Sequence, residues 1–186
     1  TFERVTLFDN KPGAAWLKAA DLNGDGFNEL FLTCLSVGVD FEAGFPPIAA
    51  GAGHILKRDG GAPTKPGDLG TWSAITGFDK SDGVAFPNHS MLFDINNDGV
   101  KDWVIGGVFL AKPQGNITWM AGSLSASGEL SFGEVQSIEI PDESRWYHRI
   151  VPADMDGDGD TDLVTTNHNR SLDGPGSSQL EWFENQ

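Results

Sequence analysis

Basic residues are scarce in this chain, and so are cysteine, tyrosine and long apolar runs. Twelve Lys and Arg stand against 27 Asp and Glu in 186 residues, a formal net charge of −15. Phosphate backbones require a basic face, so nucleic acid is excluded as an expected partner. Cys34 is the one cysteine, which excludes an intrachain disulfide. Set in the apolar run 30–35, it reads as a buried small hydrophobe. No stretch of 18 apolar residues occurs, so no membrane insertion is expected. Gly-x-Ser-x-Gly, Cys-x-x-Cys and Walker sequences are also missing. The string GAGHIL at 51–56 lacks the third glycine of a dinucleotide loop. No leader-like segment is seen and the chain opens on Thr1 rather than Met, so a processed or excised product is expected.

What is present suffices for one domain with a core: 39% hydrophobic residues and 21% charged residues. The acidity is concentrated. Residues 21–29 read DLNGDGFNE, 94–102 read DINNDGVKD and 154–162 read DMDGDGDTD. The shared form is D-x-[DN]-x-D-G-x-x-[DE]. Oxygen ligands at alternate positions of a tight turn converge on one hard cation, and this is the spacing of a calcium loop. Asp21, Asn23, Asp25 and Glu29 are the side-chain ligands expected in the first copy, with the Phe27 carbonyl at position 7. Asp94, Asn96, Asp98, Asp102 and the Val100 carbonyl fill the same places in the second. Asp154, Asp156, Asp158, Asp162 and the Asp160 carbonyl fill them in the third. Gly26, Gly99 and Gly159 hold position 6, where the chain must turn at positive φ.

Crowded carboxylates suit calcium better than magnesium, which keeps its waters, and no His or Cys in the loops suits zinc. An EF-hand needs Glu at position 12, where this chain has Leu32, Ile105 and Thr165. A catalytic aspartate is needed once, so triplication argues against a phosphatase-like DxDG in the third copy. The bland alternative is a solvated Asp/Asn/Gly turn that binds no metal, and three matched copies weigh against it. Eleven of the 27 acidic residues lie in the loops, and about three Ca²⁺ would offset six of the negative charges.

The loops recur at steps of 73 and 60 residues, which marks a repeat. A short strand is expected before each loop (AWLKAA, HSMLF, HRIVPA) and another after it (ELFLTCL, DWVIGGV, DLVTTN). A third follows (GHILKRD, GNITWMAG, QLEWFEN), and a fourth in the first two repeats (TWSAITGF, LSFGEVQSIEI). No helical period appears, and four Gly-punctuated strands per repeat are the pattern of a propeller blade. The expected fold is an all-β β-propeller of about three four-stranded blades in one domain, 1–186. The repeats cover approximately 12–80, 86–141, and 146–186 plus 1–9, with a surface loop between Val37 and Gly53. FERVTLFD at the N-terminus resembles FGEVQSIEI and is expected to complete the last blade, in the same chain or in a partner. Closed propellers usually have four to eight blades. Three blades therefore point to a two-chain ring, a fragment of a larger ring, or a head-to-tail filament.

The acidic motif, the apolar strand after it (DWVIGGV, DLVTTN) and the ending LEWFEN together resemble the FG-GAP/VCBS repeat family, which includes integrin α-like and fungal-lectin-like repeats. The resemblance covers nearly the whole chain and implies calcium-bearing propeller blades, with the loop residues above as ligands. The single Phe-Gly pair, Phe132-Gly133, lies on an expected outer strand rather than ahead of a loop, which favours the broader VCBS form.

Candidates beyond the loops are thinner. His89 and His148 precede the second and third loops on strands expected to line the central axis. A catalytic pair there is the minority reading, against ordinary strand histidines. His54 and His168 sit in loop-like contexts. Trp103, Trp119 and Trp182 fall inside strand patterns and read as core. Arg145, Trp146 and Tyr147 are the expected exposed cluster for stacking on a sugar. Asn88, Asn116 and Asn169 begin N-x-[ST] sequons and are the expected N-glycosylation sites of a glycoprotein. With calcium loops of extracellular type, they point to a secreted protein. The expected function is a non-catalytic, calcium-stabilised module for adhesion or self-assembly. The expected partners are copies of itself, as a homo-oligomer or filament through strand exchange, with glycans or other extracellular proteins as further ones. A carbohydrate-binding lectin, or a propeller fragment of a larger carbohydrate-active lyase or dehydratase, is the alternative.

Overall fold

The chain is seen in a computed structural model that describes residues 4, 6–7, 13–35, 51–60, 68, 70–84, 87–107, 117–140, 145–169 and 178–186. Each acidic loop joins the first two strands of an antiparallel sheet. The first sheet has the order β1-β2-β3-β4, with β1 Ala14–Ala20, β2 Glu29–Cys34, β3 Ala52–Asp59 and β4 Thr71–Phe78. The second runs β5-β6-β7-β10, with β5 Pro87–Phe93, β6 Asp102–Gly107, β7 Ile117–Met120 and β10 Gln136–Ser137. The third holds β11 Arg145–Ala153, β12 Asp162–Asn169 and β13 Ser178–Phe183. A two-stranded sheet, β8 Gly122–Leu124 with β9 Leu130–Phe132, is inserted between β7 and β10. A 3-10 turn, Lys80–Asp82, is capped by Asp79, whose side chain accepts from the Ser81 N–H. There is no α-helix among the described residues.

The all-β expectation holds, as four small antiparallel sheets. One expected strand is corrected: LSFGEVQSIEI is not a single outer strand. Leu130–Phe132 folds back on Gly122–Leu124, and only Gln136 and Ser137 pair with β7, opposite Trp119 and Thr118. The expected N-terminal strand lies largely outside the described residues; Arg4, Thr6 and Leu7 carry no regular structure. Most of the expected loop between Val37 and Gly53 lies outside them too, while Ala52 and Gly53 already belong to β3.

The sheets pack face to face, and β6 explains why its sequence reads as one apolar run. Every residue of DWVIGG is buried. Trp103 and Ile105 join a cluster with Phe31, Ile55 and Phe78 of the first sheet. Val104 joins Tyr147, Ile150 and Leu163 of the third. Alternate side chains point to opposite faces, so a strand sandwiched between two sheets needs apolar residues at every position. Trp103 is fully buried, edge-on to Phe31, Phe78 and Phe132. A Cβ at Gly53 or Gly77 would run into its indole, so these two glycines admit it. A buried hydroxyl pair, Thr33 Oγ1 and Ser90 Oγ at 2.5 Å, ties the first two sheets together. Cys34 is fully buried, as expected.

Candidate metal centres

The three loops repeat one hydrogen-bond scheme. At position 1, Asp21, Asp94 and Asp154 each accept from the glycine N–H of position 6, at 2.9, 2.7 and 3.2 Å. Their other oxygens accept from Gly24 at 2.8 Å, Asp98 at 3.1 Å and Gly157 at 2.7 Å. At position 3, Asn23, Asn96 and Asp156 accept from the position-5 N–H. At position 5, Asp25, Asp98 and Asp158 accept from the N–H of Phe27, Val100 and Asp160. At position 9, Glu29, Asp102 and Asp162 turn inward and are buried. Each accepts the N–H of position 2 (Leu22, Ile95, Met155) at 2.9 Å, which closes the loop.

Two positions per loop take positive φ. Position 6 does so as expected, at 88°, 87° and 99° for Gly26, Gly99 and Gly159. Position 4 also does, through Gly24 at 78°, Gly157 at 85° and Asn97 at 59°. Asparagine tolerates this region better than other residues with a Cβ, which explains its place among glycines.

Electrostatics differ between loops. The Gly26 N–H is the main influence holding the Asp21 carboxyl below the usual carboxylate range. Burial pushes Glu29 up, with Asp25 adding repulsion. Asp162 is held down by the N–H groups of Asn185 and Met155. Asp160 is pushed up to about 6 by burial and by its neighbour Asp158. Its Oδ1 is buried with no hydrogen-bond partner among the described residues. Asp154, Asp156 and Asp162 each bring an oxygen within 4.8 Å of the others. A donor set of oxygen alone, with three carboxylates this close together, fits a hard divalent cation. In the first two loops Asn23 and Asn96 hold position 3, so the same trio there is two carboxylates and an amide.

Two residues that are not motif ligands anchor these loops to neighbouring repeats. Lys101 Nζ, from the second loop, donates to the Asp21 carbonyl of the first at 2.8 Å. Asn185 donates its backbone N–H to Asp162 at 2.9 Å and its side-chain amide to the Ile95 carbonyl at 2.9 Å. Neither stands at a position the motif marks.

The other candidates fare differently. Trp146 and Tyr147 are 6% and 1% exposed, which corrects the expected exposed sugar platform. They lie on β11, where Trp146 is edge-on to His168, and Tyr147 to Phe183 in the core between the second and third sheets. Arg145 is half-buried and donates to Asn167 Oδ1 at 2.9 Å. Trp182 is 46% exposed rather than core. His54 lies in β3, buried and bonded to Thr76, and His168 lies in β12, so neither is in a loop. His148 stacks on His168 at 4.4 Å, whereas His89 is buried against Trp16; the two histidines do not form a pair. Asn169 ends β12 and its carbonyl accepts from His168 Nδ1. Asn88 lies in β5, with its side chain outside the described residues, as is Asn116 altogether.

Residues 94–165 match the family model of the FG-GAP-like repeat. The matched segment runs from the first aspartate of the second loop, through the third loop, into β12. The chain therefore carries an FG-GAP-like repeat. No curated protein and no solved structure gives a significant match.

Proposed function

We propose that this chain is a secreted, calcium-stabilised module of propeller-type blades that serves adhesion or self-assembly and has no catalysis of its own. The observation that carries the reading is the common construction of the three loops. In each, the side chains at positions 1, 3 and 5 accept from backbone N–H groups of the loop, and a buried carboxylate at position 9 closes it. About three calcium ions would be held by Asp21, Asn23, Asp25 and Glu29, by Asp94, Asn96, Asp98 and Asp102, and by Asp154, Asp156, Asp158 and Asp162. Carbonyls of Phe27, Val100 and Asp160 complete the sets. Bound calcium neutralises carboxylates that otherwise repel, so metal binding adds to folding stability.

Assembly is favoured by the third sheet. It has three strands among the described residues, against four in each of the first two. Its outer strand β13 carries Leu180, 74% exposed, and Trp182. An apolar strand edge is a template for another strand. Residues 1–9, in this chain or a second copy, are the proposed occupant, pairing beside β13 as Gln136–Ser137 pair beside β7. Native mass in calcium buffer tests this. A dimer or larger polymer that dissociates when residues 1–9 are deleted supports strand exchange, and an unchanged mass on deletion contradicts it.

A further inference from the structure

Five residues before the first aspartate of each loop stand Trp16, His89 and Arg149. A break in register precedes each: between Ala14 and Trp16, between Pro87 and His89, and between Tyr147 and Arg149. A β-bulge inserts one extra residue into a strand and re-aims neighbouring side chains. The same device at the same place in three repeats brings three unlike side chains together. The Trp16 and His89 rings meet edge to face, 4.6 Å between centroids. The Arg149 guanidinium carbon lies 5.6 Å from the centre of the Trp16 ring.

This junction is rich in donors. The Ile150 N–H approaches His89 Nδ1 at 3.4 Å, which makes Nδ1 the acceptor and assigns the ring proton to Nε2. His89 is 3% exposed, and its Nε2 has no partner among the described residues. The buried Trp16 Nε1 likewise has none. Buried donors are nearly always paired in native proteins, so two orphans in touching rings call for an acceptor. Lys18, on β1 two residues beyond Trp16, and Arg149 both add positive charge around His89. Neither forms a salt bridge among the described residues. Among the described residues Lys18 Nζ donates to the Met91 sulfur alone, at 3.2 Å. In a chain of net charge −15, this is a pair of cations without a salt-bridge partner among the described residues.

We propose that Trp16, His89, Arg149 and Lys18 form a binding site for a single carboxylate, held by three bulged strands apart from the acidic loops. The ring N–H groups donate to its oxygens and the two cations balance its charge. A carboxylate fits better than sulfate or phosphate, because the field of a strongly acidic chain disfavours a dianion. An acidic sugar and a simple organic acid offer the same group. The site does not depend on calcium binding in the loops.

The test is an NMR titration of the ¹⁵N-labelled full chain in calcium buffer. The Trp16 indole N–H signal is identified by its loss in Trp16→Phe, then followed against acetate, glucuronate, glucose and sulfate. The expected result is a saturable shift with a carboxylate, with Kd on the order of 1–10 mM. Arg149→Met and Lys18→Met, both at exposed positions, weaken it about tenfold each at unchanged melting temperature. Tighter glucuronate than acetate assigns an acidic sugar; equal affinities assign a simple organic acid. The proposal is overturned by no shift with either carboxylate, by an equal shift with glucose, by tighter binding of sulfate, or by undiminished binding in Arg149→Met.

Discussion

Lys101 Nζ donates to the Asp21 carbonyl at 2.8 Å, bridging residues 80 apart in sequence. The second loop thus holds the first, and its positive charge lies beside a cluster of carboxylates. Lys101→Met should cost about 1 kcal/mol of stability in chelator. It should also tighten calcium binding at the first loop, because a nearby cation is removed. Urea unfolding and calcium titration at low salt check both effects, and they run in opposite directions.

The position-9 carboxylates should matter more than exposed ones even without metal. Asp102 is fully buried and accepts N–H groups from Ile95 at 2.9 Å and Gly122 at 2.8 Å. The amide of Asp102→Asn has one acceptor oxygen, so one buried N–H loses its partner. The expected cost is about 2–3 kcal/mol in EGTA. Asp98→Asn, at an exposed position, should cost under about 1 kcal/mol in EGTA. Both should abolish calcium binding at the second loop. Equal urea midpoints for the two variants in EGTA would contradict the closing role of Asp102.

Backbone conformation distinguishes two neighbouring turn positions. Gly99 sits at φ 87° and Asn97 at φ 59°. Gly99→Ala should cost about 1–2 kcal/mol, because a Cβ is disfavoured there. Asn97→Gly should change stability by only a few tenths of a kcal/mol, about the size of the balance between entropy and relieved strain. Denaturant midpoints of the two variants give the comparison.

His89 gives stability a pH dependence of known sign. Burial first, then Arg149 and Lys18, lower it from 6.5 to about 4. Between these values the unfolded chain binds the proton and the folded chain does not. Stability from this group is therefore present above pH 6.5 and lost as pH falls towards 4, by on the order of 2 kcal/mol. The difference in unfolding free energy between the parent and His89→Gln should shrink over that window. A constant difference from pH 7.5 to 4.5 would show that His89 stays exchangeable with solvent.

The loops were legible in the sequence because their chemistry is local: alternate oxygens and a glycine at a fixed place. The match over 94–165 supports that repeat reading. What was not legible depended on neighbours. LSFGEVQSIEI looks like one strand, but the chain leaves the strand at Gly133 and re-pairs at Gln136. Trp146 and Tyr147 look like a surface platform beside Arg145, but packing against His168 and in the core between the second and third sheets buries both. His89 and His148 looked comparable because of their residue type. Register separates them: His89 shares its place with Trp16 and Arg149, whereas His148 is the residue skipped at the third bulge. Equal spacing to the loop carried that information, hidden by three different side chains.

Calorimetry with and without chelator tests the structural role of calcium most directly. With each of three sites held at about ten times its Kd, calcium should add roughly 4 kcal/mol. For a domain of this size that is a rise of about 10 °C in melting temperature over the EGTA-treated protein. The rise should drop by about a third in Asp98→Asn. A melting temperature that is the same in calcium and in EGTA would contradict structural calcium in these loops.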